Sequence, residues 1–213
     1  MTDSLQSDHW LPYREAFRRD AHQLIQWGYA DARQKIAPDS DEDDITGYLA
    51  DAVHERLDSP TAEDWWDRYD LHHQRPERHG QRKGKQKKKI DIVVRCSAQK
   101  PRAEFSFEAK RLKKNGFPVS RYTDDGLLRF VCGEYAPSSP EAAMVGYVQS
   151  DSAPYWLSEL ARKLSEPAGG NLECKKLPVP VSVLASLPDE WITVHGRPDG
   201  SEIAVYHIFL DCL

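Results

Sequence analysis

Asp91, Glu108 and Lys110 are the residues whose types and spacing suit chemistry. They fall in two short segments, IDIVVR (90–95) and AEFSFEAK (103–110). Apolar residues recur there at alternate positions. Such a period of two predicts β-strands, whose side chains point to opposite faces in turn. In the second segment Phe105, Phe107 and Ala109 share one face, and Glu104, Ser106, Glu108 and Lys110 share the other. In the first, Ile90, Ile92 and Val94 oppose Asp91, Val93 and Arg95. The connector between them contains Pro101 and suits a hairpin. Pairing the strands buries the Ile and Phe faces together and leaves Asp91, Glu108 and Lys110 on one side.

Two carboxylates and a lysine on adjacent strands suit phosphodiester hydrolysis. Asp91 and Glu108 offer hard oxygen ligands for Mg²⁺ or Mn²⁺. Such an ion lowers the pKa of a water and neutralises charge growing on a phosphate. Lys110 can orient or deprotonate the water and stabilise the transition state. The carbonyl of Ala109, between the two site residues, is a further candidate ligand. Glycoside hydrolysis also uses paired carboxylates, but the lysine and the basic residues around it fit a phosphate better.

The surrounding elements read as follows. Residues 12–35 form a helix, with Phe17, Ala21, Leu24 and Ile25 as its apolar stripe. Pro38-Asp39-Ser40 breaks the chain and starts a second helix over 41–58, with Ile45, Leu49, Val53 and Leu57 at steps of four. The stretch 72–89 has no apolar periodicity and reads as a loop or hairpin end. After the basic turn RLKKNGFP, residues 124–135 and 140–149 read as short helices, the latter with Gly146 allowing close packing. A clearer helix covers 155–165, and strands are expected at 179–185, 191–195 and 202–210. The order implies a mixed α/β sheet. The 213 residues suit a single domain, with a catalytic core of about 40–150 and C-terminal strands (179–210) extending the sheet.

The pattern D-(x)16-E-A-K on two strands, preceded by a helix carrying Glu, resembles the PD-(D/E)xK nuclease superfamily, the fold of many restriction endonucleases. Asp91, Glu108 and Lys110 match its acidic pair and lysine, though Ile90 stands where the literal motif has Pro. The resemblance covers roughly residues 40–150. It implies a restriction-endonuclease-like core, a four-stranded mixed sheet flanked by helices. It also implies Mg²⁺- or Mn²⁺-dependent cleavage of DNA, within a bacterial restriction or anti-phage defence system. Many members add an acidic ligand from the helix before the first strand. Glu42 and Glu55 are the contenders. At about 100° per residue, Glu42 lies at the centre of the stripe formed by Ile45, Leu49, Val53 and Leu57, and Glu55 lies on the solvent side. Glu42 is therefore the candidate. The opening E-D-D-I-T-G-Y-L also resembles bacterial members in which such a glutamate precedes Ile-Thr.

The net charge of −5 conceals an asymmetry. Residues 75–121 carry 16 Lys/Arg against 4 Asp/Glu, and the remainder 13 against 30. A basic block in an acidic chain points to a local polyanion contact. Arg82, Lys83, Lys85, Lys87, Lys88 and Lys89 lead into Asp91, while Arg111, Lys113 and Lys114 follow Lys110 and would hold the scissile strand. Phosphate contacts of this kind are blind to sequence and sensitive to salt. Tyr122 and Arg129 either sit on a helix covering the site or serve packing. Aromatic residues make up 10% of the chain, enough to argue against disorder. No apolar run reaches the ~20 residues of a membrane span. The four cysteines are scattered without a CxxC pair, which excludes a zinc ribbon and fits a reducing cytoplasm, and no secretory signal is visible.

Plainer readings compete at each position. A charged alternation is often a solvated strand face. Glu42 with Asp39 would make a capping box. A lysine run is often only a soluble loop. His72-His73 lacks a third ligand at zinc spacing and reads as an exposed pair. The rival class is a catalytically inactive subunit that keeps the fold and binds nucleic acid or a partner protein. Within the enzyme class, RNA stays open as substrate, as does a homodimer.

Overall fold

The computed structural model describes residues 4–76, 88–98, 100, 102–166, 172–187 and 189–213, with side chains from residue 12 onward. Helix α1 (Ser4–Ala32) leads through a 3-10 turn to α2 (Glu42–Leu57). Strands β1 (Tyr69–Pro76), β2 (Lys89–Cys96) and β3 (Ala103–Leu112) follow. A helical rod then runs as α3 (Val119–Arg121), a π-helical turn (Tyr122–Leu127) and α4 (Leu128–Val131). Strand β4 (Glu141–Val148), helix α5 (Ala153–Ser165) and strands β5 (Cys174–Pro180), β6 (Glu190–Gly196) and β7 (Glu202–Asp211) complete the chain. The strands form one mixed sheet of seven in the order β1-β2-β3-β4-β7-β6-β5. Only β3-β4 and β4-β7 pair in parallel. Among the described residues no helix is long and apolar enough to cross a membrane.

Each face of the sheet buries its own core. On one, Phe17, Leu24 and Ile25 of α1 and Ile45, Leu49 and Val53 of α2 cover Val94, Phe105, Phe107 and Val145. On the other, Tyr122, Leu127 and Phe130 of the rod and Trp156 and Leu160 of α5 cover Val93, Met144, Val205 and Phe209. The apolar stripes expected on the first two helices are therefore the ones that pack. The register Ile92↔Phe107 and Val93↔Ser106 brings Asp91 beside Glu108. Ile90 departs from the expected face. It packs with Val93 in the second core, near Gln74 of the neighbouring strand, whose φ of 49° interrupts regular pleating.

Several elements differ from expectation. Helix α1 begins at Ser4, ahead of Pro12, which reads as a helix opener because Pro favours the first turn. His72 to Pro76, expected in a loop, lie in edge strand β1. Its polar composition reflects an edge position rather than absence of structure. His72 and His73 are half-buried there, not exposed. Within residues 140–149, expected as a helix, Glu141–Val148 form strand β4. It lies between two parallel partners and is buried on both faces, so its sequence EAAMVGYV shows no alternation. The strand expected at 179–185 is displaced to β5, an irregularly paired edge strand that accommodates Pro178 and Pro180. Val181, Val183 and Leu184 instead pack as irregular chain against the first core.

Candidate active site

The site forms where β2 begins and β3 ends, under the first turn of α2 and beside the π turn. Pairing of β2 with β3 runs from Cys96↔Ala103 to Ile92↔Phe107. Beyond it the Asp91 side chain takes over, with Oδ2 accepting a hydrogen bond from the Ala109 N–H at 2.8 Å. That fixes the carboxylate beside the next residues of β3. Glu108 is only 1% exposed. Lys110 gathers the group: its Nζ donates to Glu42 Oε1 at 2.7 Å and to the Ala109 carbonyl at 2.6 Å. The same ammonium lies 3.1 Å from Glu108 Oε1 and 3.8 Å from Asp91 Oδ2. The structure thus brings together Asp91, Glu108, Lys110, Glu42 and the Ala109 carbonyl.

Glu42 does not close a capping box with Asp39. The N-cap of α2 is Asp41, and the Glu42 carboxylate turns to β3, with Oε2 accepting from the Arg111 N–H at 3.1 Å. The Ile-Thr pair after it explains the placement. Ile45 is buried in the core below. Thr46 Oγ1 donates to the Glu42 carbonyl at 2.7 Å and lies 2.9 Å from the Tyr147 hydroxyl of β4. The first turn of α2 is therefore anchored to the sheet beside Lys110. Glu55 is exposed and far down the helix.

Burial makes these charges interact strongly. Burial, reinforced by Asp91, pushes Glu108 up to about 8, against the opposing pull of Lys110 and Arg129. Burial also raises Asp91, while Lys110 and the Ala109 N–H pull it down. For Lys110 burial favours the neutral amine, but Glu108, Asp91 and Glu42 outweigh it and hold the ammonium charged.

One site member stands on the rod. Arg129 Nη1 donates to Glu108 Oε1 at 3.3 Å and to the Tyr135 hydroxyl at 2.6 Å. That hydroxyl in turn donates to the Lys89 carbonyl at 2.7 Å, tying the guanidinium to the start of β2. Tyr122 serves packing: it is fully buried and its hydroxyl lies 2.9 Å from His207 Nδ1. Sequence reasoning missed Tyr135, Phe117 and Arg121. A signal was present in Gly126, since glycine inside a helical pattern costs about 1 kcal/mol relative to alanine and marks close packing. A Cβ there would lie 2.4 Å from Met144 Cε and 3.4 Å from Lys110 Cγ.

The basic candidates divide. Arg82, Lys83, Lys85 and Lys87 lie outside the described residues. Lys88 pairs with Glu134, and Lys89 donates to Gln74 Oε1 at 3.4 Å. Arg111 is buried and committed to structure: Nη1 donates to Asp41 Oδ1 at 2.6 Å and the Ser40 carbonyl at 3.1 Å, and the guanidinium covers Phe117 at 3.7 Å. Lys113 and Lys114 sit on the turn closed by mutual Lys113–Phe117 hydrogen bonds of 3.1 Å, with Gly116 at φ 104°.

An open cleft of about 760 Å³ lies over the site, lined by Lys110, Arg111, Arg121 and Arg129 and by the acidic first turn of α2. Among the described residues no three His, Cys, Asp or Glu side chains form a ready-made metal-binding group. The donor chemistry nonetheless suits a hard divalent cation: carboxylates and a carbonyl lie around one point that Lys110 Nζ holds. Glu108 Oε2 is buried without a hydrogen-bond partner, an atom that a cation would satisfy. No family model, curated protein or solved structure matches this chain.

Proposed function

We propose that this chain is a divalent-cation-dependent nuclease of the PD-(D/E)xK type, hydrolysing phosphodiester bonds of DNA in the cytoplasm as part of a bacterial restriction or anti-phage defence system. The observation that carries the reading is the convergence of the Glu42, Glu108 and Asp91 carboxylates and the Ala109 carbonyl on Lys110 Nζ, at 2.7, 3.1, 3.8 and 2.6 Å. A solvated strand face would not bury Glu108 or draw a helix-borne glutamate to the same lysine. The four-stranded mixed stretch β1-β2-β3-β4, flanked by helices, supports a restriction-endonuclease-like core.

Asp91, Glu108 and the Ala109 carbonyl, with Glu42 beside them, would hold the cation, Mg²⁺ or Mn²⁺. When bound it would polarise the phosphate and make a water more acidic. Lys110 supplies a charged donor within reach of the reacting water or a phosphate oxygen. Arg129 shares Glu108 Oε1 with Lys110 and would bring positive charge to where the transition state gains negative charge. Lys113 and Lys114 on the turn after β3, with the lysines before β2, suit the flanking backbone.

The deciding experiment is incubation of the chain with plasmid and with RNA in Mg²⁺, Mn²⁺ or EDTA. Cation-dependent nicking of DNA that disappears in Asp91→Ala is the expected result. Cleavage of RNA alone would change the substrate. Binding without cleavage under every condition would leave the inactive-subunit alternative, acting with a partner protein or as a dimer.

A further inference from the structure

The Arg121 side chain lines the cleft, is exposed, and makes no hydrogen bond or ion pair among the described residues. Among the described residues its guanidinium meets the Phe117 ring, 5.2 Å from the guanidinium carbon. Arg129 lines the same cleft from the other end of the rod. Its contacts with Glu108 and Tyr135 both use Nη1, leaving Nε and Nη2 to donate. In a regular α-helix, residues eight apart diverge by about 80°. The π turn Tyr122–Leu127 lies between them. Its i→i+5 bonding takes up about one extra residue, so eight positions span roughly the two turns that seven span in an α-helix. Arg121, Asp125 and Arg129 thereby fall on one face, and all three line the cleft. Gly126 permits the close seat of this turn on Met144 and the Lys110 stem.

We infer that Arg121 and Arg129 form a clamp on the backbone of one nucleic-acid strand, each holding a different phosphate on its way past Lys110. The inference rests on the nuclease reading of the site and names the residues that position its substrate. Two turns of rod separate the arginines by roughly 11 Å, more than the six-bond step between neighbouring phosphates can reach, so the spacing suits phosphates two nucleotides apart on an extended strand. Arginine suits the task because its planar fork binds phosphate oxygens in pairs. The cleft also carries Asp41, Asp43, Asp44 and Asp125. Their charge makes the two arginines the footholds for a polyanion there. Arg111, which follows the site in sequence, is already used by Asp41 and Ser40.

The test is binding of a labelled oligonucleotide, single-stranded and duplex, measured by anisotropy across a salt series in Ca²⁺ and in EDTA. Arg121→Gln touches no described polar partner and serves as the primary variant. Arg129→Lys keeps the charge beside Glu108 but removes the fork, and thermal melting checks that both fold. The expected result is a wild-type salt slope that falls by ~0.7–0.9 in Arg121→Gln, the share of a single phosphate. Arg129→Lys should weaken affinity several-fold with the slope retained. A wild type that cleaves and binds, with an unchanged slope in Arg121→Gln and unchanged affinity in Arg129→Lys, overturns the clamp and leaves the nuclease reading intact. A wild type that binds neither oligonucleotide in either medium overturns both.

Discussion

The Asp91 carboxylate replaces a strand-pairing partner for Ala109, accepting its N–H at 2.8 Å where the β2-β3 ladder ends. One side chain thus has two roles, holding β3 in place and presenting an oxygen to the site. Asparagine separates them. Asp91→Asn keeps an acceptor for Ala109 and should fold with little loss, while cation binding disappears. Asp91→Ala should lose both, with a buried N–H left unpaired at a cost of about 1–3 kcal/mol. Thermal melting with and without Ca²⁺ checks this. An Asn variant that still gains stability from Ca²⁺ would remove Asp91 from the proposed ligands.

Glu42 is held by two donors, Lys110 Nζ at 2.7 Å and the Arg111 N–H at 3.1 Å. A glutamine cannot accept from both with its two head atoms, because its amide nitrogen would face one donor with another. Glu42→Gln should lower stability by about 1 kcal/mol and weaken divalent-cation affinity. Glu55→Gln, on the exposed face of the same helix, should change neither. Calorimetric titration with Mn²⁺ alongside denaturant unfolding measures both. Equal behaviour of the two variants would count against the helix contribution to the site.

A buried chain of polar groups lies under the rod, on the face of the sheet that carries Glu108. Tyr122 meets His207 Nδ1 at 2.9 Å, His207 Nε2 meets Thr193 at 2.8 Å, and Thr193 meets His195 at 2.8 Å. Burial, with His195 nearby, pushes His207 down from 6.5 to about 3. A depressed folded pKa means that the unfolded chain binds the extra proton first. This group's stabilising contribution is therefore full above about 6.5 and is lost as pH falls toward about 3. His207→Phe should melt earlier at neutral pH, because Tyr122 and Thr193 lose a partner. It should also lose less stability than wild type between neutral pH and pH near 4.5, a window inside that titration. Parallel acid limbs in the two proteins would assign the acid sensitivity elsewhere.

The candidate site is legible in the sequence because its signal is local. Two alternating strands, a D-(x)16-E-A-K spacing and a helix stripe are each readable within a window of 20 residues. Helix geometry picks out Glu42 over Glu55 once the resemblance calls for an acidic residue on that helix. Strand β4 is not legible, because EAAMVGYV is buried on both faces and its helix-forming residues carry no period. Edge strand β1 hides behind polar residues, and β5 behind prolines. The contacts of Arg129 and Tyr135 with Glu108 and Lys89 join residues from different segments. Arg111 looks free for substrate in sequence, yet Asp41 and Phe117 occupy it.

The lysines before Asp91 suit a phosphate backbone, and Lys88 and Lys89 lie at the described end of that stretch. Neutralising Lys85, Lys87, Lys88 and Lys89 together should weaken duplex binding and flatten its salt dependence, by up to ~0.9 log units in slope for each phosphate no longer neutralised. Lys88 is paired with Glu134 and Lys89 with Gln74, so the pair Lys88→Gln/Lys89→Gln should account for the smaller share. A fourfold variant with the wild-type slope would leave this stretch a role in solubility alone.

Lys110 is the residue on which the catalytic reading depends most. In the site as it stands, one ammonium lies against Glu42, Glu108 and Asp91. A divalent cation would seek the same oxygens, so the lysine and the cation compete for them. Lys110→Ala should therefore bind Mn²⁺ at least as tightly as wild type, and its cation-free form should be less stable, with the buried acidic groups left without their counter-charge. Oligonucleotide affinity in Ca²⁺ should be mostly kept. Turnover should fall by about 10²-fold or more, because the donor to the water and phosphate is gone. Asp91→Ala should show the reverse pattern in binding, with cation affinity lost. Cleavage at the wild-type rate by Lys110→Ala, alongside a dead Asp91→Ala, would make the lysine a structural counter-charge. Wild-type activity in both variants would move the active site away from this end of the sheet altogether.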